Sequence, residues 1–393
     1  MKDSRARCFP LGAEVTLDAL DRDPHPVLAR LREHEPVSWL PCLDGWLVTR
    51  HDLVTTAMRD AATFTVDDRR FSTAQVVGPS MLSLDDPEHA RHRAPFVAPF
   101  RAASVAERFH AIISAQADRL IDELERGGGT ELRRAFAGPL AAGVMTAALG
   151  LELPETADVL RWYDSIVASV TEITAGNGAT AAGALAYEAL SARLGSVIED
   201  GDGSSLMAAA AAGGSLTAPQ ICSNAAVLLF GGIETTEGMI ANALAHLLAA
   251  SAQADALRSA GTGALQAAID ESLRLEPAAA VIDRYATVQM TLGRASIARG
   301  DLVRLSLAGA NRDPAMFANP DAFDPTRPNL RRHLAFAQGP HVCVGVHLAR
   351  LEARAGIEAL LARLPRLRLD PQRPPEVRGL VFRKPLRLDA VWT

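Results

Sequence analysis

From Thr217 to about Ala250 the sequence TAPQICSNAAVLLFGGIETTEGMIANALAHLLAA reads as one helix. At 1.5 Å per residue it would span roughly 48 Å, the width of a whole domain. Thr217 and Gln220 offer a capping box at its start. The apolar run stops at Glu234, and Glu237, Asn242 and His246 follow, so the segment is too polar for a bilayer span. A helix of this length has to cross the core, and the remaining chain must pack around it.

The same helix is weakened in its middle. In FGGIETTEG, Gly231 and Gly232 each cost about 1 kcal/mol relative to alanine, and Thr235 and Thr236 are mediocre helix formers. One reading is a ligand lying against the bare backbone, with the Thr235 hydroxyl and the Glu234 carboxylate available to bind it and pass protons. The other is a notch for helix packing with a threonine-to-carbonyl bond. The segment alone favours neither.

The run FAQGPHVCVG, Phe336 to Gly345, narrows the choice. It puts Cys343 in a glycine-bounded loop just before the amphipathic helix VHLARLEARAGIEALLARL. A thiolate needs positive potential, which the free N–H groups and dipole of a helix N-terminus supply. Glycines let such a loop turn tightly under a flat ligand, and backbone N–H groups around the sulfur tune its electron donation. Cys8, Cys42 and Cys222 have no comparable setting. No CxxC occurs, and His341 with His347 makes a poor zinc set beside one thiol.

These residues resemble the haem-binding loop of the cytochromes P450. The resemblance implies haem b as cofactor, Cys343 as the axial iron ligand, Phe336 and Gly345 beside the haem, and His341 against a propionate. One departure is Ala337, where the family usually has glycine. We expect it to be tolerated if the turn keeps a negative φ. The resemblance extends to the long helix, where Gly232, Glu234, Thr235 and Thr236 match the oxygen-activating motif. It implies Gly232 at the cofactor and catalytic roles for Thr235 and for the proton-delivering Glu234. His89 and Arg93 in DDPEHARHR, with Arg284 in VIDRYA, are the further implied propionate partners. His89 and Arg93 share one helix face. His92 and Arg91 fall elsewhere and are expected at the surface. Glu271 and Arg274 in DESLRLEP stand three apart, and the resemblance makes them a buried structural pair joined by Arg327.

The fold expected is therefore mainly α with a small β region, the cytochrome P450 fold. The resemblance covers nearly the whole chain and is strongest from Thr217 to Arg354. No linker rich in proline, glycine or serine divides residues 1–393, so we expect a single domain. A β-containing region lies at about 35–70 and a helical haem-binding core at about 80–365. DPHPVLARLRE reads as a short helix, and VSWLP with GWLVTR as a hairpin around Asp44 and Gly45. GGG at Gly127 to Gly129 lacks the lysine and hydroxyl of a phosphate loop and reads as a plain turn, and AGNGATAAG near 175–183 as a break between helices.

With 48% hydrophobic and 22% charged residues the chain can bury a large core, and its formal charge of −6 argues against nucleic-acid partners. The N-terminus has no apolar stretch to serve as signal or anchor, and four scattered cysteines suit a reducing compartment, so a cytoplasmic protein is expected. Arg331, Arg332, Arg350 and Arg354 form a basic face near Cys343, opposed mainly by Glu352. The resemblance implies that a ferredoxin, served by a ferredoxin reductase, docks there, since no flavin or iron–sulfur domain is fused. The substrate walls implied are RRFSTAQVVGPSML, VASVTEITAGNG, LLFGGI, AAAVID and GLVFRK, mainly apolar and lined with small residues such as Ala278 to Ala280. Asp67, Asp68, Arg69, Arg70 and Gln75 offer polar contacts or loop surface. The activity expected is monooxygenation with O2 of a bulky, largely apolar specialised metabolite. Oxidative C–C or C–N coupling, cyclisation or desaturation fits the same residues, and so, less well, does a non-catalytic haem-thiolate sensor.

Overall fold

The computed structural model describes residues 2–174, 177–200, 205–249 and 262–392. Four short helices open the chain: α1 (Lys2–Cys8), α2 (Pro10–Ala13), α3 (Leu17–Arg22) and α4 (His25–His34). The hairpin follows as β1 (Val37–Leu40) and β2 (Gly45–Val48), in antiparallel register from Val37↔Val48 to Leu40↔Gly45. Its turn is a 3-10 turn at Pro41–Leu43 closed by Asp44 at φ 46°. Both strands are buried on both faces, which explains why they read as continuous apolar runs.

After α5 (His51–Arg59) and β3 (Phe64–Thr65) come α6 (Ser72–Val77), α7 (Glu88–Val97), α8 (Ala102–Leu124) and β4 (Gly129–Glu131). A π turn at Arg133–Ala137 leads into α9 (Gly138–Ala148). Helices α10 (Thr156–Thr174), α11 (Ala181–Asp200) and α12 (Leu206–Ala212) precede the long helix α13 (Ala218–Ala249). The expected break near 175–183 separates α10 from α11, although 175 and 176 lie outside the described residues. Then come α14 (Thr262–Leu275), β5 (Val281–Ala286), β6 (Met290–Leu292), β7 (Ala295–Ile297), β8 (Leu302–Ser306), α15 (Leu307–Ala310) and α16 (Val346–Arg363). Short strands end the chain: β9 (Arg368–Leu369), β10 (Val377–Arg378), β11 (Lys384–Pro385) and β12 (Asp389–Val391).

The main sheet has the order β1-β2-β8-β5-β3, with β2 parallel to β8. Strands β2 and β3 thus pair with strands 220 or more residues later, and the β-containing N-terminal region completes its sheet only with β5 and β8. Helix α13 is buried along almost its whole length and packs on α9, α11, α14, α16 and β11. Half of the expected capping box forms, the Thr217 N–H donating to Gln220 Oε1 at 3.0 Å.

Glu271 and Arg274 form a bidentate pair of 2.8 Å bonds with both side chains fully buried, and Arg327 Nε joins Glu271 at 2.9 Å. Arg274 also donates to the carbonyls of Asn311, Pro320 and Ala322. The pair therefore pins α14 to the loop that leads to the cysteine segment. Among the described residues no helix is long and apolar enough to cross a membrane.

Candidate active site

The cysteine loop closes on itself. The Cys343 N–H donates to Phe336 O at 2.9 Å and the Val342 N–H to Gly339 O at 3.1 Å. Gly339 sits at φ 76°, and a Cβ there would meet Met58 O at 2.5 Å, so only glycine fits. Ala337 overturns the expected negative φ: it sits at 56°, in the left-handed region. The turn keeps the conformation that glycine would adopt freely, and alanine takes it under strain. Phe336 is half-buried under the Arg350 guanidinium, 4.9 Å from its ring centroid. Gly345 is the N-cap of α16, and a Cβ there would touch only Phe100.

Cys343 is solvent-accessible, yet protein surrounds the thiol densely enough that burial is the main influence on it and pushes its pKa up. The Gly345 backbone, Arg93 and Arg350 pull in the opposite direction and favour the thiolate.

The glycine pair of α13 divides between the two readings. Gly231 is exposed in the middle of this buried helix, and a Cβ there would meet nothing within 4 Å. Gly232 faces the other way, where a Cβ would lie 2.4 Å from Met145 Sδ on α9. The bare backbone expected at Gly232 thus belongs to Gly231, and Gly232 is the packing notch. Thr235 Oγ1 donates a short hydrogen bond to Gly231 O, one turn back along the helix. Glu234 bonds Lys384 Nζ at 2.7 Å and accepts from the Tyr163 hydroxyl. Burial, followed by the Glu234 charge, drives the Tyr163 pKa far upward, so the phenol stays protonated.

The four expected propionate partners include a close pair. The rings of His89 and His341 lie 4.4 Å apart, and His341 Nε2 is 2.8 Å from Asp85 Oδ1. Burial, then His341, lowers the pKa of His89. Arg93 donates to Val342 O at 2.6 Å, and Arg284 to the carbonyl of Asp283 at 2.8 Å. Burial lowers the pKa of both guanidiniums, that of Arg284 to about 10. Neither makes an ion pair among the described residues, and His89 Nε2 is buried with no partner. Two desolvated cations and an orphaned ring nitrogen demand an anionic, hydrogen-bond-accepting ligand. With the Cys343 thiol beside Arg93 and Arg350 and a bare Gly231, this donor set fits haem.

Other expectations change. His92 is not at the surface: it is buried and bonds Asn224 Nδ2 at 3.0 Å, tying α7 to α13, while Arg91 pairs outside with Glu88. Glu352 does not oppose the basic face, since it is buried with Oε1 unpartnered and its pKa pushed up to about 8 by desolvation. Arg350 pairs instead with Asp270 at 3.1 Å, and Arg354 reaches Glu358 at 3.6 Å. Arg331 and Arg332 stand exposed. Arg70 bonds Asp68 and Gly300 O and stacks over Tyr285, which makes it a loop tie to β5. Part of the wall VASVTEITAGNG lies outside the described residues.

Sequence reasoning missed Asp85, Tyr163 and Lys384. Lys384 had one available signal, being one of two lysines in a chain otherwise using arginine. A cleft of about 630 Å³ lined by Arg32, His51, Asp313 and Met316 lies away from all these groups.

Known proteins resemble this chain over most of its length. Residues 263–386 match the family model described as cytochrome P450. The chain is 34% identical over 372 residues to Cytochrome P450 107B1 of Saccharopolyspora erythraea, covering 90% of each chain. It is 31% identical to Cytochrome P450 monooxygenase PikC of Streptomyces venezuelae, over 88% of this chain and 85% of that one. The solved structure of CxnD, described as a cytochrome P450 for C–S bond formation in chuangxinmycin biosynthesis, superposes with a TM-score of 0.85. It shares 28% identity, over 96% of this chain and 97% of the other.

Proposed function

This chain belongs to the cytochrome P450 family and is a haem-dependent monooxygenase, and on that premise we propose that it takes electrons from a ferredoxin to oxidise a bulky, largely apolar specialised metabolite. The observation that carries the reading is the Cys343 thiol beside the Gly345 backbone, Arg93 and Arg350, in a chain whose long helix carries bare backbone at Gly231 next to Thr235 and Glu234.

Bound haem supplies the activation of O2. Cys343 would ligate its iron, with the Gly345 N–H, Arg93 and Arg350 stabilising the thiolate charge. Arg93, Arg284, His89 and His341 would hold its propionates, and Phe336 and Gly345 would flank the ligated sulfur. The Thr235 hydroxyl, fixed on Gly231 O, holds a proton next to the open position. Glu234 replenishes that proton. Of the small Ala278 to Ala280, just before β5, Ala278 packs against Gly238 and Ala280 is in the core, so Ala279 is the one left to offer room to a bulky substrate. The chuangxinmycin biosynthesis for which CxnD is described supports specialised metabolism as the setting.

Oxidative bond formation is the second reading, favoured by the C–S bond formation that names CxnD. Product mass separates the two, since monooxygenation adds one oxygen atom. A sensor is disfavoured because Glu234 and Thr235 serve proton delivery, for which a sensor has no use.

The test is the carbon monoxide spectrum of the reduced protein. A strongly red-shifted Soret band in the wild type that vanishes in Cys343→His establishes the thiolate ligand. An unshifted band in well-folded, haem-loaded protein overturns the assignment of Cys343. Turnover with a surrogate ferredoxin system, lost in Thr235→Ala, excludes the sensor.

A further inference from the structure

Glu234 sits where three elements meet, with a donor on each oxygen. Lys384 Nζ of β11 lies 2.7 Å from Oε1, and the Tyr163 hydroxyl of α10 donates to Oε2. The same ammonium is 2.8 Å from Glu237 Oε2, one turn further along α13. Glu237 Oε1 in turn receives Arg133 Nη1 at 3.0 Å. All four charged side chains are largely buried, with exposures of 17% for Lys384, 11% for Glu234, 5% for Glu237 and 12% for Arg133. Two carboxylates and two cations balance, so none of these buried charges is left without a counter-charge. In this arrangement Glu234 is occupied by its partners and is not free to exchange protons with water.

The lysine is built to let go. Its backbone is pinned, because the Arg383 N–H donates to Ala278 O at 2.9 Å and Phe382 packs edge-on against Phe230 of α13. Its four-carbon stem is flexible. The second seat on Glu237 means that Nζ can leave Glu234 without becoming an unpaired buried charge. A cleft of about 320 Å³, lined by Asp21, Arg133, Arg378, Phe382, Lys384 and Leu386, brings solvent to the outer side of the cluster. A salt bridge that served the fold alone would need neither the second seat nor the cleft.

We propose that Lys384 is a positioning residue, a latch that holds Glu234 at rest and swings off it while staying on Glu237, admitting water from the cleft side. The inference rests on Glu234 being the proton-delivering acid. In each passage Glu234 Oε1 gains one proton from cleft water and releases one toward Thr235, returning to the carboxylate. Tyr163 keeps its own proton throughout.

The test uses haem-loaded wild type, Lys384→Met, Lys384→Arg and Glu234→Gln. Two quantities are read: deuterium uptake of residues 228–240 in the resting protein, and the solvent isotope effect on oxygen consumption driven by a surrogate ferredoxin and reductase. Losing one charge-assisted bond should make the segment exchange about tenfold faster in Lys384→Met. Lys384→Arg should restore the slow exchange, and the isotope effect should shift in Lys384→Met. Unchanged exchange and isotope effect in Lys384→Met, with a shifted isotope effect in Glu234→Gln, overturn the latch and leave the role of Glu234 standing. An isotope effect unmoved by Glu234→Gln overturns both. If Lys384→Met does not take up haem, Lys384→Gln is read by the same criteria.

Discussion

Arg93 Nη2 donates to the carbonyl of Val342 at 2.6 Å, so the residue just before Cys343 is held by a helix 249 positions earlier in the chain. The bond leaves the rest of this desolvated guanidinium without a carboxylate partner among the described residues. Arg93 therefore has two tasks, fixing the loop that carries the thiol and neutralising an anionic ligand. A buried hydrogen bond from a charged group contributes about 1.5–3 kcal/mol. Arg93→Ala should accordingly release haem roughly 10- to 100-fold more readily, measured by transfer to apomyoglobin, with unchanged far-ultraviolet circular dichroism. Arg93→Lys, which keeps the charge and loses the planar fork, should recover part of the loss.

Ala337 makes a prediction of opposite sign. A non-glycine residue at φ 56° carries a conformational cost of about 1–2 kcal/mol. Ala337→Gly should relieve about 1 kcal/mol of it, less some entropy gained by the unfolded chain. The variant should melt slightly higher than wild type in calorimetry, with the same Soret position. A lower melting temperature would show that the Ala337 methyl group's packing outweighs its strain.

What was legible in the sequence was local. The cysteine loop, the weakened turn of α13 and the i,i+3 spacing of Glu271 and Arg274 all lie within short segments whose residue types constrain the backbone directly. The length of α13 was legible because one apolar pattern runs through it. The partners of Glu234 were not, since Lys384 and Tyr163 lie 150 and 71 positions away, and the rarity of lysine in this chain marks Lys384 without saying what it meets. Asp85 is 256 positions from the histidine it meets. His92 was misplaced for a related reason: helical spacing separates it from the face of His89 and Arg93, but a second buried face, against Asn224 of α13, is a property of packing. For Gly231 and Gly232 the sequence held both answers, and only the position of Met145 shows which glycine serves which.

The buried charge network supplies a stability prediction. Glu271 accepts from Arg274, Arg327 and the Asp324 N–H. Glu271→Ala leaves two buried guanidiniums without a counter-charge, a loss of about 3–5 kcal/mol. We expect little soluble holoprotein on expression, and a melting temperature well below that of the wild type in what is recovered. Glu271→Gln should be nearly as damaging, because it keeps the shape but not the charge.

Glu352 links stability to pH. Its carboxyl is buried on α16, and desolvation raises its pKa from 4.5 to about 8. The folded state therefore binds a proton that the unfolded state has released across the window between those values. Stability from this group is complete below pH 4.5 and falls as pH rises toward 8, by at most about 5 kcal/mol. Glu352→Gln keeps a neutral side chain of the same shape and has no proton to lose. Its melting temperature should gain on the wild type as pH goes from 5 to 8, even if the amide packs less well at pH 5. Parallel curves would mean that the Glu352 carboxyl is already ionised inside the fold at pH 5, with a counter-charge or water that offsets its burial.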